Sequence, residues 1–263
     1  MNNPEEKKEK IVTRLERYYN TENSMLTEIG VDESGRGPMF GRLYVAAVVL
    51  PTSSQDSPLW TADIKDSKKF TKTTNKTPNK TDKIHKVAEI IKQNAVAWTV
   101  EFIESDEIDR INIREAVMKG MSKCISNIME QMSLTEETAF LLIDGTDFSP
   151  YMMPINNSEH IRYVPHITIP QGDGKYMAIA AASILAKVAR DDYILHLCEM
   201  YPALIDKYQL QTNMGYGTKV HMAGIAKYGN SPWHRKTFGL CKSVHDWDTN
   251  ETTNTTQTTQ NLP

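Results

Sequence analysis

Cysteine is scarce in this chain. The three present in 263 residues, Cys124, Cys198 and Cys241, lie far apart without CxxC spacing, so neither a disulfide framework nor a zinc knuckle is expected. Long apolar runs are also missing. No stretch approaches the roughly 20 residues that span a bilayer, and the N-terminal MNNPEEKKEKIVTRLERYY lacks the apolar core of a signal peptide. These absences lead to the expectation of a reduced, soluble, cytoplasmic protein with no membrane partner. Nor does one sign of charge dominate: 30 Lys and Arg face 33 Asp and Glu, for a formal charge of −3. A polyanionic partner would have to be recognised locally.

The 40% hydrophobic content suffices for one main domain. The expected layout is a helical N-terminal extension over 1–24, with Glu5 to Tyr19 as a solvated helix, a main domain over 25–245 and a disordered polar tail over 246–263. Strands are expected at Tyr44 to Leu50, Ala95 to Ile103, Ala139 to Asp144 and His166 to Pro170. Helices are expected at Lys83 to Gln93, Ile113 to Met129, Met177 to Met200 and Val220 to Tyr228. This alternation is an α/β pattern.

Charge gathers in two places. Lys65 to Lys92 holds nine lysines against three acids, part of it in the polar stretch Thr71 to Asp82, which reads as an exposed loop. Gln209 to His245 holds five cations and no acid, interleaved with Tyr216, Tyr228, Trp233, His234 and Phe238. Flat rings among point charges suit phosphates and sugars.

The acids fall at revealing positions. Asp32 follows MLTEIGV, Glu33 is adjacent, Asp144 ends the apolar run AFLLID, and Asp173 precedes a long helix. Asp173 alone also fits a helix cap or turn residue. In α/β folds such strand ends and helix starts gather at one edge of the sheet. Carboxylates collected there repel one another unless cations hold them, and an all-oxygen set suits Mg²⁺ or Mn²⁺ better than zinc. Two such ions about 4 Å apart serve phosphodiester cleavage. Asp66 and Asp147 are rival ligands, whereas Asp191 and Asp192 lie too far along the helix.

Five motifs, GVDESGRGPMFG, DSKKF, LLIDG, GDGKYMAIAAASILAKVARDDY and GYGTKVH with YGNSPWHRKTF, occur in the order found in type 2 ribonucleases H, the ribonuclease HII family, which the chain resembles from about Ile29 to about Phe238. The resemblance implies a ribonuclease H-like mixed sheet flanked by helices, with a helical C-terminal segment. It also implies an endonuclease that nicks 5′ of ribonucleotides in RNA–DNA hybrids and of single ribonucleotides embedded in DNA, leaving 3′-OH and 5′-phosphate ends. Asp32, Glu33, Asp144 and Asp173 match the family's catalytic metal ligands for two ions, Mg²⁺ or Mn²⁺. Gly35, Arg36 and Gly37 match its 2′-OH reader, largely through backbone groups.

By the same resemblance Tyr216 stacks on the next sugar, and Lys68 and Lys69 face phosphates. Ser183 and Lys187, at i and i+4 on a helix whose small residues suit a packed core, could face the site. His221, His234 and Arg235 also match, with His221 read as a hydrogen-bonding residue of the fold. Ser34, Arg42 and Gly174 depart from the family pattern. Gly174 could loosen Asp173, and Arg42 could meet substrate or solvent. A silent hybrid-binding subunit would be marked by loss of an acid, and all four are present. Type 3-like cutting of long hybrids only is opposed by the intact Gly-Arg-Gly. A monomer is expected, with accessory subunits left open.

Overall fold

The computed structural model describes residues 15–20, 25–51, 57–70, 83–154 and 161–247. The Thr71 to Asp82 loop, most of the expected N-terminal helix and the tail from Asp248 lie outside these. Five strands form one mixed sheet: β1 (Thr27–Ser34), β2 (Leu43–Val49), β3 (Ala97–Ile103), β4 (Ala139–Asp144) and β7 (His166–Ile169), in the order β3-β2-β1-β4-β7. A two-stranded antiparallel ribbon joins β5 (Met152–Pro154) to β6 (Ile161–Tyr163). The helices are α1 (Lys83–Asn94), α2 (Ser105–Ile111), α3 (Ile113–Gln131), α4 (Met177–Met200), α5 (Ala203–Tyr208), α6 (Leu210–Asn213) and α7 (Lys219–Tyr228).

The sequence accounts for the long elements directly. Every residue of β2, LYVAAVV, is buried, as a β-branched run covered on both faces must be. Residues 35–42 between β1 and β2 are too few for a parallel crossover, which needs a dozen or more. By contrast β1 pairs parallel with β4, and β4 with β7, each reached through a long connection.

The chain forms two compact units, each drawn from three stretches: 1–32, 47–99 and 125–184 in the first, and 33–46, 100–124 and 185–263 in the second. In the first, Leu142, Ile169 and Ile179 pack with Phe140, Ile167 and Tyr176. Gly30 allows α4 to lie against β1, since a Cβ there would stand 2.6 Å from the Ala178 Cβ. In the second, Phe40, Leu197, Leu204, Tyr208 and Ile225 form the centre of an apolar cluster. Truncating a ring such as Phe40 to alanine would cost about 3–5 kcal/mol. Cys124, Cys198 and Cys241 are buried thiols, and none of the helices in the described residues is long and apolar enough to cross a membrane.

Two expectations need correction. Leu15 to Tyr19 are not helical: Glu16 makes a parallel bridge to Tyr176, with its amide donating to the Lys175 carbonyl at 2.8 Å. Tertiary hydrogen bonds there override helix propensity. Asp246 and Trp247, placed at the start of the polar tail, are bonded within the second unit. The Lys236 ammonium pairs with Asp246, and Trp247 is 8% exposed with its amide bonded to the Asn230 carbonyl.

Candidate active site

Parallel pairing brings the strand-end acids together in the first unit. The β1–β4 register runs to Val31 opposite Ile143, so Asp32 and Asp144 are the next residues of adjacent strands at the same end. Asp144 lies opposite Ile169 of β7, after which Gln171, in the left-handed region at φ 55°, turns the chain into a single 3₁₀ turn, Gly172–Gly174. That turn carries Asp173. Asp144 Oδ1 fixes it, accepting the Gly172 amide at 2.7 Å and the Asp173 amide at 3.4 Å. Glu33 follows Asp32 on β1.

Asp173 sits where a negative charge is disfavoured. Asp32 and Asp173 are each 4% exposed. Burial, then the charge of Asp66, raises the Asp173 carboxyl above its ordinary range; Lys68 opposes this and Asp144 adds to it. Lys68 Nζ stands 3.5 Å from Asp173 Oδ2. Although desolvation acts the other way, the charges of Asp173, Asp66 and Asp32 raise the Lys68 pKa.

Among the described residues no three His, Cys, Asp or Glu side chains form a ready-made metal cage. The donor chemistry still fits hard divalent cations: these acids are oxygen-only and partly desolvated, Asp144 and Asp173 repel one another, and Lys68 beside Asp173 and Arg36 beside Glu33 supply counter-charge. The fit is one of ligand type and charge.

The DSKK motif forms a 3₁₀ turn over Ser67–Lys69, capped by Asp66, whose side chain accepts the Lys68 amide at 2.9 Å. This gives Asp66 a structural task. Ser183 differs from the substrate-facing position considered for it: it is 4% exposed and shares a 3.0 Å hydrogen bond with Ser67, so it anchors that turn to α4. Lys187 pairs with Asp191 at 2.7 Å.

In the second unit, Gly35 adopts φ 98°. A Cβ at Gly35 would meet Arg190 Nε at 2.5 Å, whereas one at Gly37 would meet nothing within 4 Å. Arg36 is half exposed, with Nη1 3.4 Å from Glu33 Oε1. Two fully buried arginines lie against this loop, and one of them, Arg235, holds it by hydrogen bonds. Arg235 donates from Nε to the Gly41 carbonyl at 2.9 Å and from Nη1 to those of Pro38 at 2.9 Å and Arg36 at 3.4 Å. Arg190 Nη2 donates to the Met214 carbonyl at 2.6 Å, and its guanidinium lies 5.5 Å from the Tyr216 ring centroid. Burial, then the charge of Arg190, pushes the Arg235 pKa down, yet a guanidinium stays charged. Arg190 was not singled out in the sequence, although an arginine amid the buried alanines of α4 was the available signal.

Tyr216 is 48% exposed, and a directed hydrogen-bond chain fixes its backbone. The Ser231 amide donates to His234 Nδ1 at 2.9 Å, so His234 Nε2 carries the proton and donates to His221 Nε2 at 3.0 Å. His221 Nδ1 then donates to the Tyr216 carbonyl at 2.9 Å. Both rings are neutral in this arrangement. Burial lowers the His221 pKa, and burial followed by the His221 charge lowers that of His234 to about 3.

Arg42, considered as a substrate or solvent contact, has its side chain largely buried within the second unit. It is 9% exposed, donates twice to Glu104 Oε1 at 3.0 and 2.7 Å, and lies between the rings of Phe102 and Tyr193 at 3.8 and 4.4 Å.

A mixed five-stranded sheet with acids at the ends of neighbouring parallel strands defines a ribonuclease H-like protein. The ribonuclease HII profile matches residues 29–241. The ribonuclease HII of Parabacteroides distasonis is 40% identical over 213 residues, covering 81% of this chain and 90% of that protein. Among solved structures, ribonuclease H2 from Pyrococcus horikoshii OT3 matches with TM-score 0.58 at 22% identity, over 82% of this chain and 96% of that one. Bst-RNase HIII in complex with Mn²⁺ matches with TM-score 0.54 at 16% identity, over 77% and 70%; both similarities concern the fold. The chain belongs to the ribonuclease HII family. It is a ribonuclease H, an endoribonuclease of RNA–DNA hybrids.

Proposed function

We propose that the chain nicks the RNA-bearing strand on the 5′ side of a ribonucleotide, including a single one embedded in DNA, and leaves 3′-OH and 5′-phosphate ends. The observation that carries this reading is the placement of Asp32 and Asp144 at the same end of paired parallel strands, with Asp144 holding the Asp173 turn. Asp32, Glu33, Asp144 and Asp173 would hold two divalent ions, Mg²⁺ or Mn²⁺. When bound, such ions activate water for attack on phosphorus and stabilise the leaving oxygen.

The chain's own groups do the positioning. Gly35 and Gly37 let main chain approach the ribose, where the 2′-OH separates RNA from DNA. Arg36, paired with Glu33, is half exposed and available to orient the strand. The exposed Lys68 side chain reaches from Asp173 toward solvent, a position suited to a phosphate, and the neighbouring Lys69 extends the same basic turn. Lys187 adds charge further along α4. Tyr216 presents a ring for stacking on the following sugar, with its carbonyl fixed by His221. A monomer in the cytoplasm is the working form, its role being removal of ribonucleotides from DNA during replication and repair.

The test is cleavage of an end-labelled DNA duplex carrying one ribonucleotide, with Mg²⁺, with Mn²⁺ and with chelator. A metal-dependent nick immediately 5′ of the ribonucleotide supports the proposal. Cutting confined to an all-RNA hybrid strand would reassign the specificity to the type 3 pattern.

A further inference from the structure

Residues 16–20 precede the part of the chain that matches the family, which begins at residue 29. They are held at every step across the first unit. The Glu16 amide donates to the Lys175 carbonyl at 2.8 Å, and the Glu16 carbonyl accepts the Met177 amide at 2.9 Å. This brackets Tyr176, in the short connection by which the Asp173 turn enters α4.

The Arg17 guanidinium lies 4.4 Å from the Trp60 ring centroid, and the Tyr18 hydroxyl donates to the Pro51 carbonyl at 2.7 Å. The Tyr19 ring stacks on Phe140 at 5.7 Å and 15°, and tilts against Tyr176 at 5.6 Å. Phe140 is on β4, the strand that ends in Asp144. The amides of Tyr19 and Asn20 both donate to the Glu28 carboxylate, at 2.9 and 2.7 Å for the shorter contacts. Glu28 is on β1, which carries Asp32. One short segment therefore grips the three elements that present Asp32, Asp144 and Asp173.

The Asp173 turn needs such support. Glycines flank the aspartate on both sides, and the residue before them is held in the left-handed region, so the turn has little stiffness of its own. At its start it is fixed by Asp144, through the Gly172 amide. At its exit it is fixed by α4 and by the two main-chain bonds of Glu16. Removing the latter leaves Asp173 freer to move relative to the two strand ends.

We infer that residues 16–20 form a positioning strap that sets the affinity of the acidic cluster for divalent cations by holding the Asp173 turn against β1 and β4. The inference rests on the reading of Asp32, Asp144 and Asp173 as metal ligands, and the experiment separates the two. Mn²⁺ binding to the full chain is titrated by electron paramagnetic resonance of the free ion for wild type, Glu16→Pro, Glu16→Ala, Tyr19→Ala and Asp173→Asn, with thermal melts alongside. Glu16→Pro removes the donor to Lys175, whereas Glu16→Ala keeps both main-chain bonds. Tyr19→Ala deletes a ring that is 39% exposed and leaves the backbone free of new constraints.

Loss of support around a metal ligand typically weakens binding by about tenfold or more. Glu16→Pro and Tyr19→Ala are expected to bind Mn²⁺ about tenfold more weakly, Glu16→Ala as wild type, and cleavage at saturating Mn²⁺ should be close to normal in all three. Wild-type affinity in both Glu16→Pro and Tyr19→Ala, with a loss in Asp173→Asn, overturns the strap alone, even if the melts fall. Unchanged affinity in Asp173→Asn overturns the metal-site reading and the strap with it.

Discussion

Arg190 lies directly against Gly35: a Cβ added to the glycine would stand 2.5 Å from Nε and 2.7 Å from Cδ of the arginine. Arg190 is 1% exposed and tied to the Met214 carbonyl, so it has nowhere to retreat. The glycine that reads the sugar in our proposal is thus also the only residue type that fits above this guanidinium.

The two glycines of the Gly-Arg-Gly loop should therefore respond differently to the same change. Gly35→Ala forces a side chain into φ 98° and onto Arg190, and should cost about 1–3 kcal/mol of stability. Gly37→Ala meets nothing within 4 Å and should change stability by less than about 0.5 kcal/mol. Both should lose cleavage at a lone ribonucleotide, because a methyl group would separate main chain from ribose. Urea unfolding beside cleavage assays checks this; full activity in Gly37→Ala would remove the backbone-approach argument.

Lys68→Ala should act on substrate binding. The Lys68 side chain is 80% exposed, so its pair with Asp173 should contribute no more than about 1 kcal/mol to stability. As a phosphate contact it should contribute about one unit to the slope of log affinity against log salt. The expected result is a raised KM with that slope reduced. An unchanged slope would confine Lys68 to its pairing with Asp173.

The histidine chain behind Tyr216 predicts acid sensitivity with a definite sign. The folded-state pKa values of His221 and His234 lie below the ordinary 6.5, that of His234 at about 3. The unfolded chain therefore binds more protons below about pH 6.5, at His234 down to about pH 3. This contribution to stability is complete above pH 6.5 and is lost as pH falls through that window, by up to about 1.4 kcal/mol per pH unit for each histidine. Denaturant unfolding at pH 7, 6 and 5 should show the decline, and His234→Asn should flatten it. Parallel slopes in the two proteins would mean that other groups cause the loss.

Much of the fold was legible because its elements are long and strongly patterned. AFLLID folds as β4 over Ala139–Asp144 and the Ala-rich segment as α4 over Met177–Met200, both as expected from apolar runs and spacing. The polar α2, SDEIDRI, and the three-residue strands β5 and β6 are too short to show a period. Residues 15–19 read as helix by local propensity, and their extended path depends on partners such as Glu28 and Lys175 that are distant in sequence. The same holds at the site. The four acids stood out by position and motif, whereas the burial of Ser183 against Ser67 and of Arg42 against Glu104 follows from contacts 116 and 62 residues apart. No local pattern encodes those.

The most direct measurement is Asp32→Asn assayed for cleavage and for binding on the same hybrid duplex. The substitution removes one carboxylate from the cluster and leaves the Gly-Arg-Gly loop, Lys68 and Tyr216 in place. Cleavage should be abolished while hybrid affinity stays within a few-fold of wild type, about 1 kcal/mol. Retained cleavage by Asp32→Asn would contradict the placement of the catalytic metal site at the ends of β1 and β4.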